Sequence, residues 1–196
     1  PMVSAQDHKR AYDRDEGPNT GGMGAFSPSP NYTPEIASYV ERRIIRPTVE
    51  AMNAEGRTFR GVLYFGLMLT PDGPKVLEYN ARFGDPEAQV VLPRLKTDLL
   101  DIMEAVIEER LDRIPIRWEE DAAVCVVGAS GGYPVRYEKG LPIHGWEEIG
   151  KVPGIRVFHA GTKRSGTGLV TDGGRVLGVT AMGKTLEEAA DRVYRH

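Results

Sequence analysis

The sequence predicts an α+β protein in which helices and strands occupy separate stretches of the chain. Three observations support this: an apolar i, i+4 repeat over residues 36–44, a strand–turn–strand pattern over residues 59–82, and short apolar strands between residues 122 and 182. The chain has 196 residues, of which 40% are hydrophobic and 27% are charged. That composition is typical of one large or two small globular domains and excludes disordered and collagen-like proteins.

Charge and cysteine content limit the partners and the cellular location that we expect. The 25 basic and 28 acidic residues give a net charge of −3, so we expect neither nucleic acid nor an anionic membrane as a partner. No apolar run approaches the roughly 18 residues of a membrane span. Cys125 is the single cysteine; it stands in an apolar strand, so we expect a buried, unreactive thiol and a reducing, cytoplasmic location.

The first half of the chain is predicted to contain a loop, a helix and a hairpin. Residues 1–32 are rich in Gly, Pro, Asn and Asp and predict a long ordered loop. Thr33 caps a helix that Pro47 interrupts and that ends near residues 55–56. Strands over residues 59–70 and 75–82 then form a β-hairpin, with residues 71–74 as its turn.

The second half is predicted to add two helices and several strands. A helix over residues 98–111 has Thr97 as its cap and an inward stripe of Leu99, Met103 and Val106. Residues 113–120 form a linker. The strands are expected over residues 122–127 and near 155–160, 168–171 and 175–182, and a last helix follows Thr185 with Leu186, Ala190 and Val193 facing inward.

A glycine-rich segment is the first candidate for chemistry. Residues 20–24 read TGGMG, and three glycines in five residues allow the backbone to turn its N–H groups toward one anion. An ordinary glycine-rich turn explains the same pattern. Charged and turn-forming neighbours such as Asp15 and Asn19 favour a ligand site.

The second candidate is the strand that contains Glu78, Asn80 and Arg82. Side chains two residues apart share one face of a strand, so these three should point the same way. A carboxylate and an amide oxygen are ligands that Mg²⁺ accepts beside nucleotide phosphates, and Arg82 could stabilise a phosphoryl group in transfer. A solvated strand face is the alternative, although the turn at residues 84–87 brings two more carboxylates.

Several motifs together resemble a known family. AQDHKR (5–10), GPNTGGMGAFSP (17–28), GVLYFGLMLT (61–70) and GPKVLEYNARFGDPEAQ (73–89) are similar to glycinamide ribonucleotide synthetase, or phosphoribosylamine–glycine ligase, among the ATP-grasp ligases. The resemblance implies the distal lobe of an ATP-grasp domain over residues 1–112. A small β-rich C-terminal domain, incomplete at its end, would follow over residues 121–196.

The resemblance also implies an activity and a set of site residues. ATP, glycine and 5-phosphoribosylamine would give glycinamide ribonucleotide, ADP and phosphate through a glycyl phosphate, with Mg²⁺ or Mn²⁺ as the metal, in de novo purine synthesis. Glu78 and Asn80 would bind the metal, and Arg82 and Asp85 would be catalytic. The residues that would bind the substrates and phosphate are Asp15, Asn19, Thr20, Gly21, Gly22, Gly24, Pro86 and Glu87.

Two other classes stay open, and the chain departs from the family in one place. Another ATP-grasp ligase or carboxylase would share the Glu78–Asn80 pattern, and a non-catalytic nucleotide-binding module would share the fold. We expect the chain to be a fragment, inactive alone, whose partner is the rest of its own polypeptide. Arg14 stands in an acidic stretch where the family leads us to expect glycine.

Overall fold

The computed structural model describes residues 1–166 and 168–196, and these residues form two compact units. The sheet unit consists of Pro1–Ser29, Asp85–Arg94 and Trp118–His196, and the hairpin unit consists of Pro30–Gly84 and Leu95–Arg117. Each unit is assembled from separate stretches of the chain. The mixture of helices and strands confirms the α+β class, while the domain bounds 1–112 and 121–196 stay a prediction.

Twelve strands and six α-helices follow one another along the described part of the chain. The strands are β1 (Gln6–Asp7), β2 (Arg10–Tyr12), β3 (Glu16–Asn19), β4 (Gly24–Ser27), β5 (Tyr64–Thr70), β6 (Gly73–Asn80), β7 (Ala122–Ala129), β8 (Pro142–Ile143), β9 (Ile155–His159), β10 (Thr162–Ser165), β11 (Gly168–Thr171) and β12 (Arg175–Gly183). The α-helices are α1 (Pro34–Val40), α2 (Arg46–Ala54), α3 (Ala88–Val91), α4 (Leu99–Ile107), α5 (Trp146–Ile149) and α6 (Leu186–Arg195). Within the described ranges, no helix is long and apolar enough to cross a membrane.

The sheet unit is built on a five-stranded antiparallel sheet with the order β1-β4-β7-β12-β9. Successive residues of β7 face opposite sides of this sheet. Ala123 and Cys125 pack in one apolar cluster with Val90 of α3, whereas Val124 and Val126 pack against a second cluster that includes Val193 of α6. The two helices therefore cover opposite faces of the sheet.

The expectation of a long loop over residues 1–32 is wrong. This segment contains β1 to β4, and β4 joins the main sheet by pairing with β7. The close approach of the two strands requires glycine at residue 24, because a Cβ there would lie 2.7 Å from the carbonyl oxygen of Cys125. The pairing depends on a strand about 100 residues away, so local periodicity gave no sign of it.

The predicted strands and helix of the last third of the chain are confirmed, but the inward stripe of that helix is confirmed only at Val193. β7, β9, β11 and β12 occupy the expected positions, and Cys125 is 1% exposed. α6 begins after Thr185, whose hydroxyl accepts a hydrogen bond from the Glu188 N–H at 3.2 Å. Leu186 and Ala190 are only half-buried, and Ala189 is buried beside Val193 instead.

The hairpin unit begins with the predicted interrupted helix. Thr33 caps α1 by accepting a hydrogen bond from the N–H of Ile36 at 3.4 Å. A π-helical turn over Glu41–Ile45 separates α1 from α2, in whose first turn Pro47 lies. Proline has no N–H to continue an α-helical ladder, so the wider turn precedes it.

Two details of the hairpin unit differ from expectation. The hairpin of β5 and β6 is confirmed, but its strands begin at Tyr64 and Gly73, so the turn is shorter than residues 71–74. The cap of α4 is Asp98 and not Thr97, whose hydroxyl instead accepts from the Arg117 N–H at 2.8 Å. Met103 is 46% exposed and not inward, because Ala105 occupies the buried face of this short helix.

Candidate functional site

The predicted metal strand lies in the hairpin unit, near the end of β6. Glu78 is exposed and Asn80 is half-buried, and the two residues alternate with Tyr79 along the strand. Tyr79 turns the other way: its ring contacts Phe65, and its hydroxyl lies 3.3 Å from the Thr48 hydroxyl of α2. The helix therefore packs on the Tyr79 face of the hairpin, and the carboxylate and amide share the opposite face.

A glycine on the neighbouring strand leaves room for Glu78. Gly66 of β5 pairs directly with Glu78 of β6. A Cβ at residue 66 would lie 2.8 Å from Cγ of Glu78, closer than two carbon atoms approach one another without a bond. The path of the Glu78 side chain across the strand thus depends on the absence of a side chain at residue 66.

The donors present fit a magnesium ion that is shared with phosphates. Among the described residues, no group of three or more His, Cys, Asp or Glu could hold a metal by itself. Glu78 and Asn80 supply one carboxylate and one amide oxygen on an accessible face. Mg²⁺ bound beside nucleotide phosphates commonly takes only one or two protein oxygens, so this pair has the right chemistry.

Arg82 follows the metal strand and belongs to the same unit. Its side chain is exposed, and one guanidinium N–H donates to the Phe83 carbonyl oxygen at 2.7 Å. The remaining donors of an arginine fork suit a phosphate or carboxylate. Among the residues that the structure describes, this backbone carbonyl is the one partner of the guanidinium, and the role of Arg82 in catalysis stays a prediction.

The glycine-rich segment of the sheet unit does not present a free cluster of N–H groups. The N–H groups of Thr20 and Met23 donate to the carbonyl oxygens of Lys9 and His8, each at 2.7 Å. The N–H of Gly22 donates to the Thr20 hydroxyl, and that of Gly21 donates to the Tyr133 hydroxyl, both at 3.0 Å. The anion nest expected from the spacing of the glycines is therefore absent from this conformation.

The glycines instead permit close packing. A Cβ at residue 21 would lie 3.0 Å from the Arg175 guanidinium carbon, and one at residue 22 would lie 2.5 Å from Cδ of Pro86. Gly22 also has a φ of +116°, which side chains strongly disfavour. Gly21 and Gly22 thus bring the segment against Pro86 and Arg175.

Arg175, at the start of β12, joins the glycine-rich segment to the turn that begins at Asp85. Its Nη1 donates to the carbonyl oxygens of Gly21 at 2.9 Å and of Asp85 at 2.7 Å, and makes a longer contact of 3.5 Å with that of Gly22. Its Nη2 lies 2.9 Å from Oδ2 of Asp85. Gln89 donates to the other carboxylate oxygen, Oδ1, at 2.7 Å. Both oxygens of Asp85 are therefore held by protein donors.

The other predicted site residues of the sheet unit occupy different environments. Asp15 lies at the exposed tip of the β2–β3 ribbon, and Asn19 is at the exposed end of β3. Glu87 is only 7% exposed and precedes α3. Arg14 adopts φ 59° and ψ 30°, the left-handed region, which explains physically why glycine would suit this position.

Each unit thus brings some of the predicted residues together. In the hairpin unit Glu78 and Asn80 share one strand face, whereas Arg82 lies two residues beyond the end of β6, so the expectation that all three lie on one strand is wrong. In the sheet unit the residues brought together are Thr20, Gly21, Gly22, Asp85 and Pro86, whereas Asp15 lies apart at its ribbon tip.

Sequence reasoning missed Gly66, Tyr133 and Arg175. An arginine that opens the otherwise uncharged strand RVLGVTAMG was the available signal for Arg175, because a charge there needs a partner. Nothing comparable marked Tyr133 or Gly66.

Comparison with known proteins identifies the family. Residues 1–88 match the family model described as phosphoribosylglycinamide synthetase, ATP-grasp (A) domain, and residues 123–196 match its C domain. Proteins named phosphoribosylamine–glycine ligase are similar along 99% of the chain: 50% identical in Caldanaerobacter subterraneus subsp. tengcongensis and 53% identical in Chlorobaculum tepidum. The chain covers 46% of each, so it spans about half the length of these curated relatives.

Solved structures agree with the family match. A phosphoribosylamine–glycine ligase from Thermotoga maritima superposes with a TM-score of 0.82 at 35% identity, over 99% of this chain and 47% of that one. An L-amino acid ligase from Bacillus licheniformis, 19% identical, superposes with a TM-score of 0.57 over 92% of this chain and 43% of that one, and shares the fold. With both of its family models matched in order along the sequence, the chain belongs to the phosphoribosylglycinamide synthetase family, whose A domain is of the ATP-grasp class.

Proposed function

We propose that this chain forms part of an ATP-dependent ligase that joins glycine to 5-phosphoribosylamine. The observation that carries the proposal is about 50% identity, along 99% of the chain, to proteins named phosphoribosylamine–glycine ligase. The reaction transfers the γ-phosphoryl group of ATP to the glycine carboxylate and releases ADP. The amine of phosphoribosylamine then attacks the acyl carbon of glycyl phosphate, and phosphate leaves as the new amide loses a proton.

In this proposal Glu78 and Asn80 hold Mg²⁺, or Mn²⁺, together with phosphate oxygens of ATP. The bound metal supplies charge compensation for those phosphates. The support from the chain is the shared accessible face of the two side chains and the space that Gly66 leaves beside Glu78. Arg82 can donate to the phosphoryl oxygens as their charge shifts in transfer.

The sheet unit contributes the proposed substrate-binding residues. Asp85 is held in place through both carboxylate oxygens, and a carboxylate fixed in this way can orient an amine or a hydroxyl group. The segment from Thr20 to Gly24 would shape the site rather than supply free hydrogen-bonding groups. The N–H groups of Thr20, Gly21, Gly22 and Met23 and the carbonyl oxygens of Gly21, Met23 and Gly24 are already engaged within the protein.

We also propose that the remainder of a longer polypeptide is the partner of this chain. The curated relatives are about twice its length. In addition, α4 exposes Leu100 by 62%, Met103 by 46% and Ile107 by 72%, a spacing that places all three along one helical face. An apolar stripe of this kind is normally covered by protein. The buried free thiol of Cys125 fits a cytoplasmic protein.

The test uses the complete product of the gene that encodes this chain. ADP release is measured with Mg-ATP, glycine and phosphoribosylamine together, and with each omitted in turn. Release that needs all three, accompanied by a glycinamide ribonucleotide product, supports the proposal. Release that persists with another carboxylate or amine in place of glycine or phosphoribosylamine would assign the protein to a different ligase reaction.

A further inference from the structure

Arg175 and Tyr133 lie outside the predicted site residues, yet they make the contacts that hold two of the predicted segments together. One guanidinium reaches the Gly21 carbonyl, the Asp85 carbonyl and the Asp85 carboxylate. These two segments are 64 residues apart in sequence, so nothing local fixes their spacing. All of these residues belong to the sheet unit.

We propose that Arg175 and Tyr133 are positioning residues that set the conformation of the glycine-rich segment and of the Asp85 turn for ligation. The inference rests on the proposed function, because it assigns those two segments to substrate binding. Arg175 acts through Asp85 and Gly21, and Tyr133 acts through the N–H of Gly21.

The position of the Arg175 side chain supports this role. Its side chain is 21% exposed, against 51% for the Asp85 side chain, so solvent screens this ion pair less than one between two free surface groups. Arg175 begins β12, which lies between β7 and β9 in the sheet. The guanidinium is thus anchored on the most extensively paired strand of the sheet and extends to two loop segments.

Tyr133 lies in a turn that is held in place by contacts with the two glycines that precede Arg175. It follows Ser130, whose hydroxyl and N–H donate to the carbonyl oxygens of Gly173 and Gly174 at 2.8 and 2.7 Å. The ring lies so close to Gly174 that a Cβ there would be 2.1 Å from it. The tyrosine hydroxyl therefore meets the N–H of Gly21 from a rigid turn, beside the residue that precedes Arg175.

Asp85 gains a single defined orientation from this arrangement. Arg175 binds Oδ2, Gln89 binds Oδ1, and Arg175 also binds the backbone oxygen of the same residue. A lysine at residue 175 could not reproduce this pattern, because an ammonium on a flexible stem lacks the planar fork that serves several acceptors. The geometry predicts that the planar fork, and not the positive charge alone, is required.

The experiment uses the complete gene product with Arg175→Met, Arg175→Lys and Tyr133→Phe, and Arg156→Met as the matched control on β9, where the arginine is exposed. Amide hydrogen exchange is followed over residues 20–23 and 84–89 and over β7 and β12. Steady-state ligation gives kcat and the KM for ATP. In Arg175→Met we expect faster hydrogen exchange in the two segments and unchanged protection of β7 and β12. We also expect kcat to fall about 10²-fold. Arg175→Lys should lose at least about tenfold in kcat, and the KM for ATP should change less than about threefold.

The other possible outcomes contradict either the positioning role or the proposed function. Unchanged exchange at residues 20–23 in Arg175→Met, or equal loosening of β7 and β12, would overturn the positioning role. Loosened segments with a wild-type kcat would overturn it too, as would full activity in Arg175→Lys. If the wild-type protein does not ligate glycine to phosphoribosylamine, the proposed function is wrong. The hydrogen-exchange data would then still show whether Arg175 and Tyr133 hold the two segments in place.

Discussion

Gly66 and Glu78 are direct partners across the β5–β6 hairpin, and a Cβ on residue 66 would lie 2.8 Å from Cγ of Glu78. The glycine is therefore part of the proposed metal site although it donates no ligand. It keeps open the space through which the Glu78 side chain reaches the accessible face of the hairpin. This relationship leads to the first prediction.

Gly66→Ala should displace the Glu78 carboxylate and weaken metal binding. Supporting residues around metal ligands typically change affinity by 10–100-fold, so we expect the Mg²⁺ concentration for half-maximal activity to rise about tenfold or more. A Mg²⁺ titration of steady-state activity measures this. Gly131→Ala is the control, because a Cβ there meets nothing within 4 Å; equal titrations for both variants would contradict the prediction.

Replacing the proposed ligands themselves should remove catalysis and leave the fold intact. Glu78→Gln retains size but deletes the anionic donor, and loss of one strong electrostatic contact typically costs about 10²–10³ in rate. Asn80→Ala deletes a neutral donor and should cost less. Rates across a Mg²⁺ titration, with thermal melts for folding, measure both. The control Asp72→Asn, in the exposed hairpin turn, should behave as wild type. Near wild-type activity for Glu78→Gln would indicate that this strand face is merely solvent-exposed and binds no metal.

Cys125 should react slowly with thiol reagents in the folded protein. It is 1% exposed, and burial raises its pKa to about 11. At pH 8 only about one thiol in a thousand would then be the reactive thiolate. Labelling should rise as the pH approaches 11 and become fast in denaturant. Rapid stoichiometric labelling of the native protein at pH 8 would show that this part of β7 is accessible.

Arg94 should be required for stability. It is 5% exposed and donates to the carbonyl oxygens of Asp121 and Glu119 at 2.8 and 3.2 Å and to the Ser27 hydroxyl at 2.7 Å. Arg94→Met would leave these acceptors without a donor, and we expect the free energy of unfolding to fall by about 2–4 kcal/mol. Denaturant unfolding measures the change, with the exposed Arg113→Met as control. Equal stability of the two variants would contradict it.

The 196-residue chain alone should not turn over ATP, glycine and phosphoribosylamine. It spans less than half of the proteins whose names carry this activity. ADP release by the isolated chain is the measurement, and the complete gene product is the positive control. Turnover near 10 s⁻¹, ordinary for an enzyme, would show that the remaining polypeptide is not needed for the reaction.

The sequence predicted best those elements that are set by local chemistry. Thr33 and Thr185 cap their helices as expected, and the hairpin around residues 71–72 forms with a shortened turn. Alternation alone placed Glu78 and Asn80 on one face. Each of these features depends on residues within a few positions of one another.

Features that depend on distant partners could not be predicted in the same way. Glycine at residue 21 serves a close approach to Arg175, and glycine at residue 24 serves one to Cys125. In the sequence, glycines that permit close packing cannot be told from glycines that form an anion-binding nest, because both structures require only that these residues lack a Cβ. The strand β4 was missed because its partner, β7, is remote in the chain.

The pairing of β4 with β7 also has a consequence for folding during synthesis. Every residue of the hairpin unit has been made once residue 117 is added, so its contacts can form while the C-terminal part of the chain is still untranslated. Ala25 and Phe26, in contrast, pair with Cys125 and Val124. The strands that precede the hairpin unit must therefore wait for β7, which is made about 100 residues later, and we expect closure of this non-local sheet to be a late, slow step of folding.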